Sequence, residues 1–199
     1  TKTLLIDYTN ALGALPNPAR LGEIFLRIVQ SNLSTDEAWL FVADDGPGGQ
    51  VVLRPLVAIS DPPSESLILA AHSPLNAYLR TADSPLVQYD IDTSDNFQSL
   101  PAAERERLEK WERVLYKPLR AGENLIGLLA LGKKFSGEAY NQQDFHTLDM
   151  LGAQIAPPLA QTRNLEAVRR INDYAFAQNR ALARDRRHLR ELIGLYQQY

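Results

Sequence analysis

The chain has 199 residues, of which 45% are hydrophobic and 23% charged, and its formal net charge is −3, which fits one globular domain with an extension. It contains no cysteine, which excludes disulfides, a cysteine nucleophile, a thiolate metal site and a thioether-linked chromophore. No apolar run approaches the roughly 18 residues of a membrane span, and no signal peptide is visible, so we expect a cytoplasmic protein without membrane contact.

The first predicted elements are a helix and three strands. Apolar residues at helical spacing indicate an amphipathic helix over 18–33. The apolar stretch 37–43 predicts a strand, residues 44–49 (DDGPGG) a hairpin-type loop, and 51–59 a returning strand. A shorter third strand is predicted over 67–71. The glycine loop lacks the Lys-Ser/Thr pair of a phosphate-binding loop, so we interpret it as a turn.

The middle of the chain predicts two helices around a strand. Ser73 is the expected N-cap of a short helix whose first residue is Pro74. A strand is predicted over 86–91 and a charged helix over 101–111. One face of this helix is expected to be solvated; it carries Glu104, Glu106, Glu109, Lys110 and Arg113, with Glu106 and Lys110 spaced to pair.

The domain is predicted to close with two strands and a helix. The strands cover 114–119 and 125–131 around a turn at 121–124, and Asn141 is the expected N-cap of the helix. Pro157 and Pro158 interrupt the helical pattern and predict a kink where the helix leaves the domain. The order α-β-β-β-α-β-α-β-β-α indicates an α+β fold with an antiparallel or mixed sheet.

The last part of the chain, from about 154 to 199, has the pattern of one long helix with a heptad seam. Apolar residues recur at positions a and d, which predicts a coiled coil over 163–199. The expected dimerisation residues are Val168, Ile171, Ala175, Leu182, Leu189, Leu192 and Tyr196. Polar d positions at Gln178 and Asp185 suit a seam that changes register. Since the chain begins at Thr1 and ends in register at Tyr199, we expect a segment of a longer protein.

Residues 116–119 (YKPL) and 122–132 (GENLIGLLALG) resemble the signature strand pair of GAF domains. The sequel, with Tyr140, Asp144 and the stretch 153–156 (AQIA), resembles them too. The phrase LGKKFSGEAYNQQD is similar to GAF domains of bacterial sensor kinases and related multidomain signalling proteins. The resemblance implies a six-stranded sheet flanked by helices, a small-molecule pocket on one side of the sheet, and frequent dimerisation through terminal helices.

The predicted organisation is therefore a lead-in segment over 1–17, a GAF domain over 18–162 and a coiled-coil signalling helix over 163–199. Features of individual GAF subfamilies reduce the range of possible ligands. Against the pattern of cyclic-nucleotide-binding members, Lys133 and Asp144 are kept while an Asn and a Glu are not, and a loop-closing Lys133–Asp144 pair is expected. Attachment of a bilin through cysteine and the cysteine-dependent methionine-sulfoxide reductase branch are excluded. The cofactor stays unknown.

The resemblance nominates pocket residues from the short helix, the strand before Asp90 and the strand that holds Tyr116: His72, Asn76, Tyr89, Trp111 and Tyr116. The alternative is that the aromatic residues fill a ligand-free core. An exposed or structural role is favoured for His72 over ligation of haem. The three histidines are far apart in sequence, so no metal site is expected.

No catalytic motif is apparent, so we expect no enzyme in this segment. The leading hypothesis is a cytoplasmic sensor in signal transduction, two-component or related. It would form a homodimer and relay the state of an unknown small molecule through the coiled coil to a downstream output domain. The alternatives are a ligand-free dimerisation scaffold, or the regulatory segment of a histidine kinase, nucleotide cyclase or phosphatase. The basic final helix has no interleaved aromatics, so nucleic acid is not an expected partner.

Overall fold

The computed structural model describes residues 17–165. The predicted lead-in segment, apart from its last residue, lies outside the described residues. So do the seam residues from Val168 to Tyr196 and the polar layers at Gln178 and Asp185. The expectations for those parts remain predictions from sequence.

The described residues form helices α1 (Pro18–Leu33), α2 (Pro74–Thr81), α3 (Gln88–Thr93), α4 (Ala102–Trp111) and α5 (142–165). Their strands are β1 (Ala38–Asp45), β2 (Val51–Ile59), β3 (Leu67–Leu69), β4 (Leu86–Val87), β5 (Leu115–Ala121) and β6 (Asn124–Leu131). Short 3₁₀ turns cover Pro47–Gly49 and Asp95–Phe97. The expected α+β fold is confirmed, with α3 as an additional short helix.

The strands form one antiparallel sheet in the order β3-β2-β1-β6-β5-β4. The β5–β6 hairpin turns at Gly122, whose φ of +61° lies in the left-handed region that glycine adopts without a steric penalty. Because the chain's first long strand pairs with β2 and also with β6, the middle of the sheet is built from segments far apart in sequence. Within residues 17–165, no helix is both long and apolar enough to cross a membrane.

Alternation along β1 assigns each side chain to one face of the sheet. Trp39, Phe41 and Ala43 face one core with α2, α3 and α4, here called the aromatic core. Ala38 and Leu40 face the other core, which contains α1 and α5. The sheet therefore separates the helices of the central segment from the first helix and from α5, whose last described residue is 165.

Helix α1 begins and ends where the sequence provides caps. The Asn17 side chain accepts from the Ala19 amide at 2.8 Å, and Pro18 occupies the first turn. Ser34 ends the helix in the left-handed region with φ 52°. The prediction of this helix over 18–33 is confirmed.

The predicted strand over 86–91 is wrong beyond Val87. Strand β5 starts at Leu115, which pairs with Val87, and the Gln88 amide makes one more bond to the Val114 carbonyl. Beyond the Gln88 amide, the described residues provide no neighbouring strand for pairing, and this part of the chain forms helix α3 instead. Ile91 is still buried, because the helix turns it toward the aromatic core. Tyr89 consequently lies on a helix.

Helix α5 begins with a reciprocal cap. Asn141 Oδ1 accepts from the amides of Gln143 at 2.9 Å and Asp144 at 3.1 Å, and Asp144 Oδ2 accepts from the Asn141 amide at 2.7 Å. The N-cap prediction at Asn141 is confirmed. The helix continues through Pro157 and Pro158 to residue 165, so the two prolines do not end it.

The lysine that pairs with Asp144 is Lys134, at 2.6 Å, and the expectation for Lys133 is wrong. The backbone of Lys133 is bound to the start of β1, since its carbonyl accepts from the Asp36 amide at 2.9 Å and from Thr35 Oγ1 at 3.3 Å. This pairing leaves the Lys133 side chain exposed and points its neighbour toward α5.

Raising the pH should destabilise the fold through Tyr140. Its hydroxyl donates to the Gly132 carbonyl at 2.9 Å, and burial raises its pKa to about 12. The folded state keeps this proton while the unfolded chain loses it above about pH 10, so stability falls between about pH 10 and 12. A Tyr140→Phe variant should lose about 1 kcal/mol at neutral pH and show a shallower decline in that range, measured by urea unfolding. The variant Tyr89→Phe, at an exposed position, is the control. If the stability of Tyr140→Phe fell with pH as steeply as that of the parent chain, the predicted role of Tyr140 would be contradicted.

Candidate functional site

Three aromatic rings are in contact at the centre of the aromatic core. Phe41 stacks on Trp111 with ring centroids 4.8 Å apart, and Trp39 meets Trp111 edge-on at 5.9 Å. Trp39 and Phe41 come from alternate positions of β1, whereas Trp111 is the last residue of α4. The two rings of β1 therefore anchor the end of α4 against the sheet.

Three polar atoms in this core have no hydrogen-bond partner among residues 17–165: Trp39 Nε1, Trp111 Nε1 and the Tyr116 hydroxyl. Their residues are only 6%, 4% and 1% exposed. Burial raises the pKa of Tyr116, which keeps its hydroxyl neutral and able to donate. A buried polar group without a partner costs about 1–3 kcal/mol, so this arrangement carries a stability cost that a ligand with acceptor atoms would relieve.

The sheet register brings two of these groups to one place. Trp39 on β1 and Tyr116 on β5 both pair with Ala130 on β6, so they flank a small side chain in one cross-strand row. Leu86 extends the row beyond Tyr116. The residue between these two large aromatic residues in the row is therefore a small one, alanine.

Arg113 closes the core at the end of α4. Its guanidinium lies 4.0 Å from the centre of the Trp39 ring, and its Nε donates to the Trp111 carbonyl at 2.8 Å. It also forms an ion pair with Glu37. Burial lowers the pKa of Arg113, an effect that Asp36 opposes. The expected solvated face is therefore wrong for this residue, while the Glu106–Lys110 pair is confirmed at 2.9 Å.

An open cavity of about 470 Å³, here called the α2 groove, lies next to the aromatic core. Its lining residues come from α2 and from the segment 85–97: Pro74, Ala77, Tyr78, Thr81, Pro85, Leu86, Asp90, Ser94, Asn96 and Phe97. Leu86 and Phe97 also belong to the aromatic core. Leu86 also pairs with Tyr116, so the groove borders the strand next to the one that carries the unpartnered hydroxyl.

Helix α2 is held by a buried polar network. Glu104 accepts from Ser73 Oγ at 2.6 Å and from the Ala70 amide at 2.7 Å, and it is only 3% exposed. Asn76 donates to the carbonyls of Gly49 and Ala70 at 3.1 and 2.9 Å. The expected solvent exposure of Glu104 is therefore wrong, because the segment 70–73, which leads into α2, provides two donors for its carboxylate.

A family model of the GAF domain matches residues 26–161 of the chain. The chain belongs to the GAF domain family. The resemblance read from the strand pair around Tyr116 is thereby confirmed. No curated protein matches the chain.

Solved structures with this fold come from several signalling and regulatory proteins. The GAF domain/HD domain protein from Geobacter sulfurreducens is 16% identical with a TM-score of 0.58, over 76% of this chain and 97% of that one. Residues 122 to 287 of a methyl-accepting chemotaxis protein are 13% identical with a TM-score of 0.60, over 80% and 98%. The GAF domain of a phosphoenolpyruvate-protein phosphotransferase from Coxiella burnetii is 18% identical with a TM-score of 0.57, over 83% and 95%. Identities this low establish the fold alone.

The GAF fold brings together two of the five site residues predicted from sequence, Trp111 and Tyr116. Asn76 is buried but bonded to backbone carbonyls, and Tyr89 is 70% exposed on α3. His72 is exposed and does not line the α2 groove. Trp39 was missed, although its alternation with Phe41 along β1 is a signal for a shared face. In the described part of the chain, no group of three His, Asp or Glu side chains is placed to hold a metal ion.

A Tyr116→Phe variant of this GAF domain should be more stable than the parent chain. It removes a buried hydroxyl that has no partner and keeps the ring, so the free energy of unfolding should rise by about 1 kcal/mol. Urea unfolding of the ligand-free protein measures the difference. A loss of stability would mean that the hydroxyl has a partner in solution, and Tyr140→Phe, which removes a bonded hydroxyl, gives the opposite sign as control.

Proposed function

We propose that this GAF domain is a regulatory small-molecule sensor whose ligand enters the α2 groove and reaches the aromatic core. The observation that carries the proposal is the set of three buried groups without partners, Trp39 Nε1, Trp111 Nε1 and the Tyr116 hydroxyl. All three are donors when neutral, so the matching ligand presents acceptor atoms such as carbonyl or carboxylate oxygens. A flat ligand suits this core, because aromatic rings such as those of Phe41 and Trp111, which already stack on each other, pack well against flat groups.

The groove supports this proposal through its position and size. A volume of about 470 Å³ lies within the range of small-molecule sites, which is roughly 300–1,000 Å³. Its lining includes the polar residues Asp90, Ser94 and Asn96, and two of its apolar lining residues, Leu86 and Phe97, also belong to the aromatic core. The ligand would displace these two side chains and gain the unpartnered donors.

We propose that the sensor transmits its ligand state through the helix at the end of the chain. Helix α5 is helical up to residue 165, and the heptad seam predicted from sequence begins at Val168. We propose that this seam forms a parallel homodimer, which carries the ligand state in cis to an output domain of a cytoplasmic signalling protein. No catalytic activity is proposed for this segment, and the downstream domain is the place for one.

A dimerisation scaffold without ligand is the second candidate function. It is favoured by the complete burial of Trp39, Phe41 and Trp111, which pack against one another as core residues do. Under this alternative the unpartnered donors are a tolerated cost, and the seam alone matters for function.

Native mass spectrometry of the purified chain distinguishes the two candidates. A mass above that of the polypeptide that is released on activation would identify a bound small molecule, and it should be absent from a Trp111→Phe/Tyr116→Phe double variant. The two tryptophans of the chain, Trp39 and Trp111, both lie in the aromatic core, so release should also change the intrinsic fluorescence. A chain without extra mass, whose fluorescence is unchanged after denaturation and refolding, would favour the scaffold.

A further inference from the structure

A buried lysine joins the segment after α2 to α5. The Lys117 side chain on β5 is 5% exposed, and its Nζ lies 2.7 Å from Asp149 Oδ1 on α5. The same Nζ donates to the main-chain carbonyl of Asp83, just beyond the end of α2. One ammonium group therefore contacts both α5 and the loop that follows α2.

The path of the lysine side chain is confined by α5. A methyl group at Gly152 would lie 3.1 Å from Lys117 Cε and 3.3 Å from Leu119 Cδ2, which is tighter than ordinary contact. The absence of a side chain at this position lets α5 approach the lysine stem. Because the side chain of Lys117 is confined, a movement of the Asp83 segment that shifts Lys117 also affects its contact with α5.

A second cation holds the same segment. Arg120 Nη1 on β5 donates to the Thr81 carbonyl at 3.0 Å and to Asp83 Oδ1 at 3.2 Å. These contacts lie at the carboxyl end of α2, where free carbonyls favour positive charge. The segment 81–83 is thereby fixed to β5, so a shift of α2 changes the contacts of both cations.

Helix α2 forms one wall of the groove. Pro74, Ala77, Tyr78 and Thr81 line it, and Thr81 is also bonded to Arg120. An occupant of the groove would press on this wall and move the Asp83 carbonyl relative to Lys117. A buried ammonium that loses one partner depends more strongly on the other, here the Asp149 carboxylate.

We propose that Lys117 couples occupancy of the α2 groove to the stability of α5 through its shared contact with Asp83 and Asp149. The coupling itself is inferred from the geometry alone. The inference rests on the proposed function only in taking the natural occupant of the groove to be a regulatory small molecule. Lys117 is thereby a positioning residue. Asp149, on the helix that precedes the predicted seam, is the residue through which α5 responds to Lys117.

The test needs no natural ligand, because the chain has no cysteine of its own. An Ala77→Cys variant places one thiol in the groove, and N-phenylmaleimide then fills the groove covalently. Hydrogen exchange of the α5 amides is compared before and after labelling, with Lys117 intact and with Lys117→Met. We expect labelling to change α5 exchange roughly 2- to 30-fold with Lys117 and by much less with methionine.

Two further variants keep the test sharp. Asp149→Ala removes the same contact from the half-exposed surface of α5 and should abolish the response if Lys117→Met does not fold. Ala103→Cys places the label on an exposed position of α4 outside the groove, where no response is expected. Equal responses with lysine and methionine, or no response in the parent background, would overturn the coupling.

The outcome is independent of the ligand question. If native mass spectrometry finds no small molecule but the label still acts through Lys117, the proposed sensor function fails and the coupling stands. If a ligand is found but labelling acts equally without Lys117, the sensor function stands and another route connects the groove to α5.

Discussion

Replacing Trp111 by alanine is expected to lower the free energy of unfolding by about 3–5 kcal/mol, the largest effect of any single change considered for this chain. Trp111 is only 4% exposed, stacks on Phe41 and meets Trp39 edge-on. Its removal leaves a cavity between α4 and the centre of the sheet. The bond from Arg113 Nε to the main-chain carbonyl of residue 111 does not need the tryptophan side chain, so the expected loss comes from the ring contacts.

Urea unfolding followed by far-ultraviolet circular dichroism measures this loss. Tyr89→Ala is the matched control, since it removes another aromatic side chain that is 70% exposed, and it should change stability by less than about 0.5 kcal/mol. A similar loss in both variants would mean that Tyr89 is buried in solution, for example against a second chain. A small loss at Trp111 would mean that the aromatic core is looser than its ring contacts indicate.

The second large effect is expected at Gly127, in the middle of β6. It pairs with Val42 on β1 and with Leu119 on β5, and a methyl group there would overlap the carbonyl oxygen of Phe41. Because that oxygen belongs to the backbone of a central strand, the clash is relieved only by moving β1 against β6. Gly127→Ala should therefore cost about 3 kcal/mol, or roughly 6–12 °C in Tm.

Gly46→Ala is the control for this prediction. A methyl group at Gly46 would meet Gln50 Cβ at 3.2 Å, an atom of a surface turn that has room to adjust. Thermal unfolding should show a shift of no more than a few degrees for this variant. If Gly127→Ala were equally mild, the β1–β6 pairing would be more compliant than the register implies.

The local elements of this chain follow from nearby residues. Asn17, Ser73 and Asn141 each cap the helix that follows them, and Gly122 makes the left-handed turn of the β5–β6 hairpin. A cap or a tight turn depends on hydrogen bonds within about four residues, which is why the sequence reveals it. The strand pair 115–131 also carries the family resemblance, so fold and family could both be predicted.

The site could be predicted only in part. Trp111 and Tyr116 were nominated from the family pattern. The proximity of Tyr116 to Trp39 depends on the pairing of β1 and β5 with the same residue of β6, Ala130, and that of Trp111 depends on the packing of α4 on the sheet. Asn76 and Glu104 looked available for binding or solvation, but each is occupied by backbone groups from distant segments. Such partners are set by sheet order, which single-sequence patterns do not contain.

By itself, the sequence determined where α1, α2 and α5 start, the two hairpins, the α+β class and the GAF family, because each depends on local spacing or on a contiguous motif. The tertiary structure alone decided that Val87 ends its strand, that Lys134 rather than Lys133 pairs with Asp144, and that Lys117 contacts both Asp83 and Asp149. These outcomes depend on which strands are neighbours and where they start. Contacts between segments more than 30 residues apart carry no periodic signal in the chain.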